Sequence, residues 1–98
     1  MGTLALIHVK SGRQIYSVLK TMDGDPQVVL NELVSYGALS VPASALVNTI
    51  VRAYRSQAVG DLVRGIMLPS DQVVDYYYIV DYNNNIIEYA EMIPYNYQ

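Results

Sequence analysis

The side chains in this 98-residue chain that could do chemistry are few and scattered. There is one histidine, His8, and no cysteine, so thiolate catalysis, disulfides and cysteine-ligated zinc are excluded at once. A histidine acting as general base needs a nucleophile or a carboxylate in reach. No such pattern surrounds His8, which alternates with Leu4 and Leu6 and reads as a packed or edge residue of a strand. Asp23-Gly24-Asp25 has the opening of a calcium loop, but nothing downstream supplies the remaining ligands and the closing Glu. An Asp placed before Pro26 is better explained as a helix cap. Asp75 and Asp81, if on one strand, are about 20 Å apart and cannot act as a carboxylate pair. Asp81 and Glu88 can be diagonal neighbours across a hairpin, where a solvated acidic face is the simpler reading. No metal or other cofactor is expected, and no enzyme activity.

Lys10-Ser11-Gly12-Arg13 sets two cations around a glycine-bearing turn, whose backbone N–H groups can hold an anion. Its spacing matches neither a P-loop nor a dinucleotide fingerprint. Arg52 and Arg55 would join Lys10 and Arg13 if a helix carried them past that turn. These four residues support one reading of function, a binding module for a small anionic ligand such as a nucleotide, with tyrosines stacking on the base.

The other reading starts from the tyrosines. Seven of the ten fall between Tyr76 and Tyr97, in a chain with no Phe and no Trp. A phenol ring is apolar along its body and polar at its tip, which suits sheet edges and interfaces. Cross-strand pairing explains some of them. It explains less well those at a turn or in a tail, such as Tyr82, Tyr95 and Tyr97. With Tyr77, Ile79 and Met92 they form the expected interface, because tyrosine is enriched at the energetic centres of protein contacts. The primary expectation is therefore a small non-enzymatic homo-oligomeric assembly protein. Its partner would be a second copy of the chain, with a host or viral protein as the alternative. Small low-charge chains of this compositional kind occur among viral proteins.

Composition narrows the partners. A sequence pI near 4.7 opposes nucleic-acid binding. Residues 1–64 carry six basic and four acidic side chains, whereas residues 65–98 carry five acids and no base. Phosphates would thus be repelled from the tyrosine-rich segment, and a chain polarised in this way favours complementary contacts with its own kind. No apolar run is long enough to span a membrane. The first residues lack the basic region and long apolar stretch of a signal peptide, so a soluble cytoplasmic protein is expected.

These residues must be positioned by one domain, 1–98, ending in a tyrosine-rich hairpin and tail over 73–98. An apolar content of 52% is enough to build a core. Residues 3–10 alternate as a strand, with Leu4, Leu6 and His8 on one side and Ala5, Ile7 and Val9 on the other. Ser11-Gly12 reads as a two-residue turn. Residues 14–22 follow as a second strand, although Ile15, Leu19 and Met22 also fit a helical period. Asp25-Pro26 opens a helix with Val29, Leu30, Leu33, Val34 and Tyr36 on its apolar side, closed by Gly37. A second helix begins near Ser40 or Pro42, with Leu46, Val47, Ile50, Val51 and Tyr54 as its buried stripe. A short helical turn is expected over 61–66. Residues 73–81 and 86–93 flank an Asn-rich turn. If Asn83-Asn84 form that turn, Tyr78 faces Tyr89, Val80 faces Ile87 and Tyr76 faces Glu91. The order ββααββ predicts an α+β fold, an antiparallel sheet of about four strands with two helices on one face.

Overall fold

The computed structural model describes residues 3–54 and 74–91. Six elements occur there in the expected order: β1 (Ala5–Ser11), β2 (Gln14–Lys20), α1 (Pro26–Ser35), α2 (Ala43–Tyr54), β3 (Tyr76–Asp81) and β4 (Ile86–Glu91). The helical turn expected over 61–66, together with Arg55, Met92, Tyr95 and Tyr97, lies outside the described residues.

The strands form one sheet in the order β2-β1-β3-β4. Both hairpins are antiparallel, but the central pair, β1 with β3, is parallel, so the sheet is mixed rather than wholly antiparallel. The reason lies in β1. Ala5, Leu6, Ile7 and Val9 are buried and His8, Lys10 and Ser11 are half-buried, so neither face of this strand is exposed and it belongs in the interior of a sheet. β2 takes one edge of β1. The helix pair returns the chain so that β3 takes the other, where the backbone N–H groups of Asp75 and Tyr76 donate to the Leu4 carbonyl and that of Tyr82 donates to the Lys10 carbonyl.

Residues 14–20 are strand and not helix. The β-branched and aromatic side chains of this segment prefer a pleated surface, and β1 offers an edge to pair with. The first turn comes one residue later than expected, because Ser11 pairs with Gln14 and leaves Gly12-Arg13 between the strands. Gly12 then holds the single left-handed φ of the turn, +61°, at its first central position, where glycine is favoured in this hairpin class. The second hairpin has the expected register, Tyr78 opposite Tyr89 and Val80 opposite Ile87. Its ladder stops at Asp81 and Ile86, so the loop is the four residues 82–85, with the left-handed φ (+59°) carried by Asn85.

Both helices pack on one face of the sheet. Val29 and Leu33 from α1 and Ala43, Leu46, Val47 and Ile50 from α2 meet Ala5, Ile7, Val9, Val18, Tyr78 and Val80. Pro26 sits in the first turn of α1 after Asp25, which caps through its carbonyl (to the N–H groups of Val28 and Val29) and not through its side chain. Gly37, at φ +88°, closes α1 with the paired bonds of a Schellman motif, Ala38 N–H to Leu33 O and Gly37 N–H to Val34 O. Val34, expected on the apolar side, is exposed; Val29 and Leu33 are buried in the core, and Leu30 and Tyr36 pack against it half-buried. α2 lies over β1 and β2, which leaves β4 at the uncovered side of the sheet.

Gly24, inside the motif that opens like a calcium loop, has a packing role. A Cβ there would fall 2.7 Å from the Thr3 carbonyl oxygen. Its N–H donates to Thr3 O, and its carbonyl accepts the buried Tyr78 hydroxyl at 2.6 Å. Tyr78→Phe leaves that carbonyl without its partner in the interior and is expected to lower the unfolding free energy by about 1–2 kcal/mol. Urea denaturation checks this, and a variant as stable as the parent would show that the bond contributes nothing net.

Candidate interaction surface

Alternation along the strands sorts the sheet into two faces. The helix-covered face carries the row Val18, Ile7, Tyr78, Tyr89 across β2, β1, β3 and β4. The second face carries the parallel row Ser17, His8, Ile79, Glu88. On that second face Tyr77 and Ile79, both expected interface residues, are half-buried. They line a shallow depression of about 130 Å³ with Glu88, Tyr89 and Ala90. Tyr77 stacks on the His8 ring, with centroids 6.1 Å apart and planes 14° from parallel.

β4 stands apart from the other strands. Ile86, Glu88, Tyr89, Ala90 and Glu91 are exposed, and among the described residues no strand pairs with its outer edge. Tyr89 projects to the helix-covered face, where its ring stacks 5.9 Å from that of Tyr78, yet it remains 52% exposed, whereas α2 lies over the far strands β1 and β2.

His8 has a chemical partner that sequence spacing could not supply. Its Nδ1 lies 2.9 Å from Ser17 Oγ, directly across the β1–β2 ladder. Ser17 has no solvent exposure, so its hydroxyl cannot reach a substrate, and the pair serves to satisfy two polar groups within the sheet face. Burial, and secondarily the nearby Lys10 cation, lower the His8 pKa below its ordinary 6.5.

Among the described residues, Lys10 and Arg13 do not converge with Arg52. The two turns sit at one end of the sheet and are bonded to each other: the Gly12 N–H donates to Asn83 Oδ1 (2.8 Å), and Asn83 Nδ2 donates to Gly12 O (3.1 Å). The N–H that an anion would need at Gly12 is thus already engaged. Asp81 organises the second loop by accepting from the backbone N–H groups of Asn83 and Asn84 and from Asn84 Nδ2, and these bonds hold its carboxyl below the usual carboxylate range. Tyr82 works inside the fold. Its hydroxyl donates to Val41 O and accepts from Leu39 N, tying this loop to the α1–α2 connection. α2 therefore starts near the turns and runs about 18 Å toward the opposite end. Arg52 lies in its last turn, at the other end of the sheet from Lys10 and Arg13.

At that opposite end the structure assembles a group that the sequence reading missed. Lys20 is 7% exposed; its Nζ donates to Met22 O (2.6 Å), lies 4.9 Å from the centroid of the Tyr54 ring and 3.9 Å from Glu32 Oε1. The Tyr54 hydroxyl donates to the same carboxylate oxygen. Burial, reinforced by the Glu32 charge, keeps that phenol protonated well above its ordinary range. A cleft of about 230 Å³ opens beside them, lined also by Thr21, Met22, Asp23, Tyr36 and Ala53. A signal for Lys20 existed: it continues the core-facing row of Tyr16 and Val18, where a lysine must find partners if it is to be buried. Its partners come from two different helices, which strand alternation does not reveal. Among the described residues no group of three or more side chains is arranged to hold a metal ion.

Comparison with protein-family models, with curated proteins and with solved structures finds no match.

The His8 environment has a pH consequence. A histidine whose pKa is lowered by folding binds its proton more readily in the unfolded chain, so its contribution to stability is present above about pH 6.5 and is lost as the pH falls below it. Unfolding free energy is expected to drop between about pH 7 and pH 5. His8→Gln should remove that component of the slope. Parallel slopes for parent and variant, measured by urea titration at several pH values, would contradict this.

Proposed function

We propose that this protein is a non-enzymatic assembly module whose subunits associate through the tyrosine-rich β3–β4 hairpin. The observation that carries this reading is the state of β4. It is a six-residue edge strand, IIEYAE, exposed along nearly its whole length, with the apolar side chains of Ile86 and Tyr89 in water. Edge strands of monomeric proteins are commonly blunted by charged side chains, lysine above all, by proline, by a bulge or by a covering element. β4 carries two acids, Glu88 and Glu91, but no lysine, proline or glycine, and it keeps an unbroken register with β3. The adjoining depression beside Tyr77 and Ile79 extends the apolar surface onto the second face. A non-enzymatic role fits the chemistry of the groups described above: His8, Ser17, Lys20, Glu32 and Tyr54 are each engaged with another part of the same chain.

No helix among the described residues is long and apolar enough to cross a membrane. Lys10 and Arg13 lie at the other end of the sheet from Arg52, which weighs against a single anion site built from these three.

Light scattering after size exclusion tests the reading. The parent chain is expected to be larger than a monomer, and Tyr89→Lys, which sets a cation on the exposed edge, is expected to shift it to the monomer while its circular dichroism stays native. A parent that remains monomeric at its highest attainable concentration would sink the proposal.

A further inference from the structure

The exposed edge of β4 also contains information about how two copies would meet. We infer that β4 pairs with β4 of a second copy in antiparallel fashion about a two-fold axis, with Tyr89 facing its own counterpart on that axis. This rests on the reading of the hairpin as an assembly surface and specifies the partner and the register.

Two neighbouring antiparallel strands related by a two-fold axis keep their faces matched, because directly opposed side chains project to the same side of the sheet. One residue must then lie opposite itself. Within β4, axes through Glu88 or Tyr89 give the longest overlap, about five residues each, whereas axes nearer either end pair about three. The choice between the two long registers is electrostatic. An axis through Glu88 sets two carboxylates directly opposite each other with Cβ atoms roughly 5 Å apart, an arrangement that destabilises a strand pair. An axis through Tyr89 sets Glu88 opposite Ala90 and Glu91 opposite Ile87, so no acid faces an acid.

The Tyr89 register also completes a pattern already present in the monomer. Tyr78 is fully buried and stacks on Tyr89, which is half exposed at the end of the row. Adding the second copy continues the row as Tyr78, Tyr89, Tyr89, Tyr78 across four strands, a geometry in which cross-strand aromatic pairs are favourable. The product is a continuous eight-stranded sheet with the helix layers of both copies on the same side. Its main-chain part resembles strand addition to an open sheet edge, where backbone bonds provide affinity and alternate side chains set the register. Because the shared edge is short compared with standard-size interfaces, the dimer is expected to be concentration-dependent.

The chain has no cysteine, so single-cysteine variants report on the interface without background. Tyr89→Cys and Glu88→Cys are each treated with a short thiol-to-thiol cross-linker, alongside light scattering of the parent chain. The expected result is a parent dimer, covalent dimer from Tyr89→Cys, and little or none from Glu88→Cys, whose thiols would lie roughly 8 Å apart, diagonally across the axis. If the parent is dimeric but Glu88→Cys links in preference to Tyr89→Cys, or neither links, the two-fold Tyr89 register is overturned while hairpin-mediated assembly stands. If the parent is monomeric and neither variant links, both readings fall. Loss of the dimer in Tyr89→Cys through damage to the hairpin is separated from a wrong register by a second variant, Ala90→Lys. In the inferred register its ammonium faces Glu88 of the other copy, so the dimer should persist or strengthen; its dissociation would count against the register.

Discussion

β1 has no exposed side chain on either face, and that constraint organises the rest of the molecule. Ala5, Ile7 and Val9 meet the helices, while Leu6, on the opposite face, is also nearly inaccessible. Strands buried in this way are unstable at an edge, where one line of backbone groups would remain unpaired beside apolar side chains. The tight Gly12-Arg13 turn places β2 on one side. A chain returning through two helices then places β3 on the other, parallel to β1. Once β1 and β3 run in the same direction, both hairpin turns fall at the same end of the sheet. There Asn83 bonds to Gly12 and Tyr82 reaches the α1–α2 connection. The same arrangement sends α2 away from that end and sets Lys10 and Arg13 at one end of the sheet and Lys20 and Arg52 at the other.

Tyrosine serves as the interior aromatic of this chain, and each ring brought into the fold also brings a hydroxyl that needs a partner. Tyr78 donates to Gly24 O, Tyr82 to Val41 O, Tyr54 to Glu32, and Tyr16 to Gln14. Three of these four bonds join segments distant in sequence, so the hydroxyls act as ties between elements as well as satisfied polar groups. Among the described residues no buried side-chain nitrogen or oxygen lacks a partner. Tyr89 differs from these: its ring stacks on a buried neighbour, yet half of its surface remains in water. The tyrosine-rich hairpin therefore divides into residues that hold the fold together and residues at its open margin, and the assembly reading concerns only the second group.

The polar groups most suited to chemistry are similarly absorbed. His8 and Ser17 satisfy each other across a ladder, and Lys20 lies in a niche formed by Tyr54, Glu32 and a backbone carbonyl. A partly buried ammonium with a carboxylate and an aromatic face at hand is stabilised by several modest interactions rather than by one ion pair. The cleft beside it is lined by the residues that follow β2, Thr21, Met22 and Asp23, and by side chains of the two helices.

Much of the local structure was legible in the sequence. Alternation assigned the two faces of β1 correctly, because side-chain direction in a strand has a period of two whatever the strand is paired with. Pro26 and Gly37 marked the limits of the first helix for reasons confined to single residues, a missing N–H and a permitted left-handed φ. Even the register Tyr78–Tyr89 followed from the position of the asparagines, since a hairpin is a local object. What the tertiary structure decided was non-local. It determined which strand neighbours β1 on its second side, that Arg52 ends up far from Arg13, that Lys20 meets Glu32 and Tyr54, and that Tyr89 emerges at an open edge. Each depends on how many times the chain crosses the sheet and where the helices lie on it. Those quantities are set by the packing of the whole core, and no short window of residues contains them.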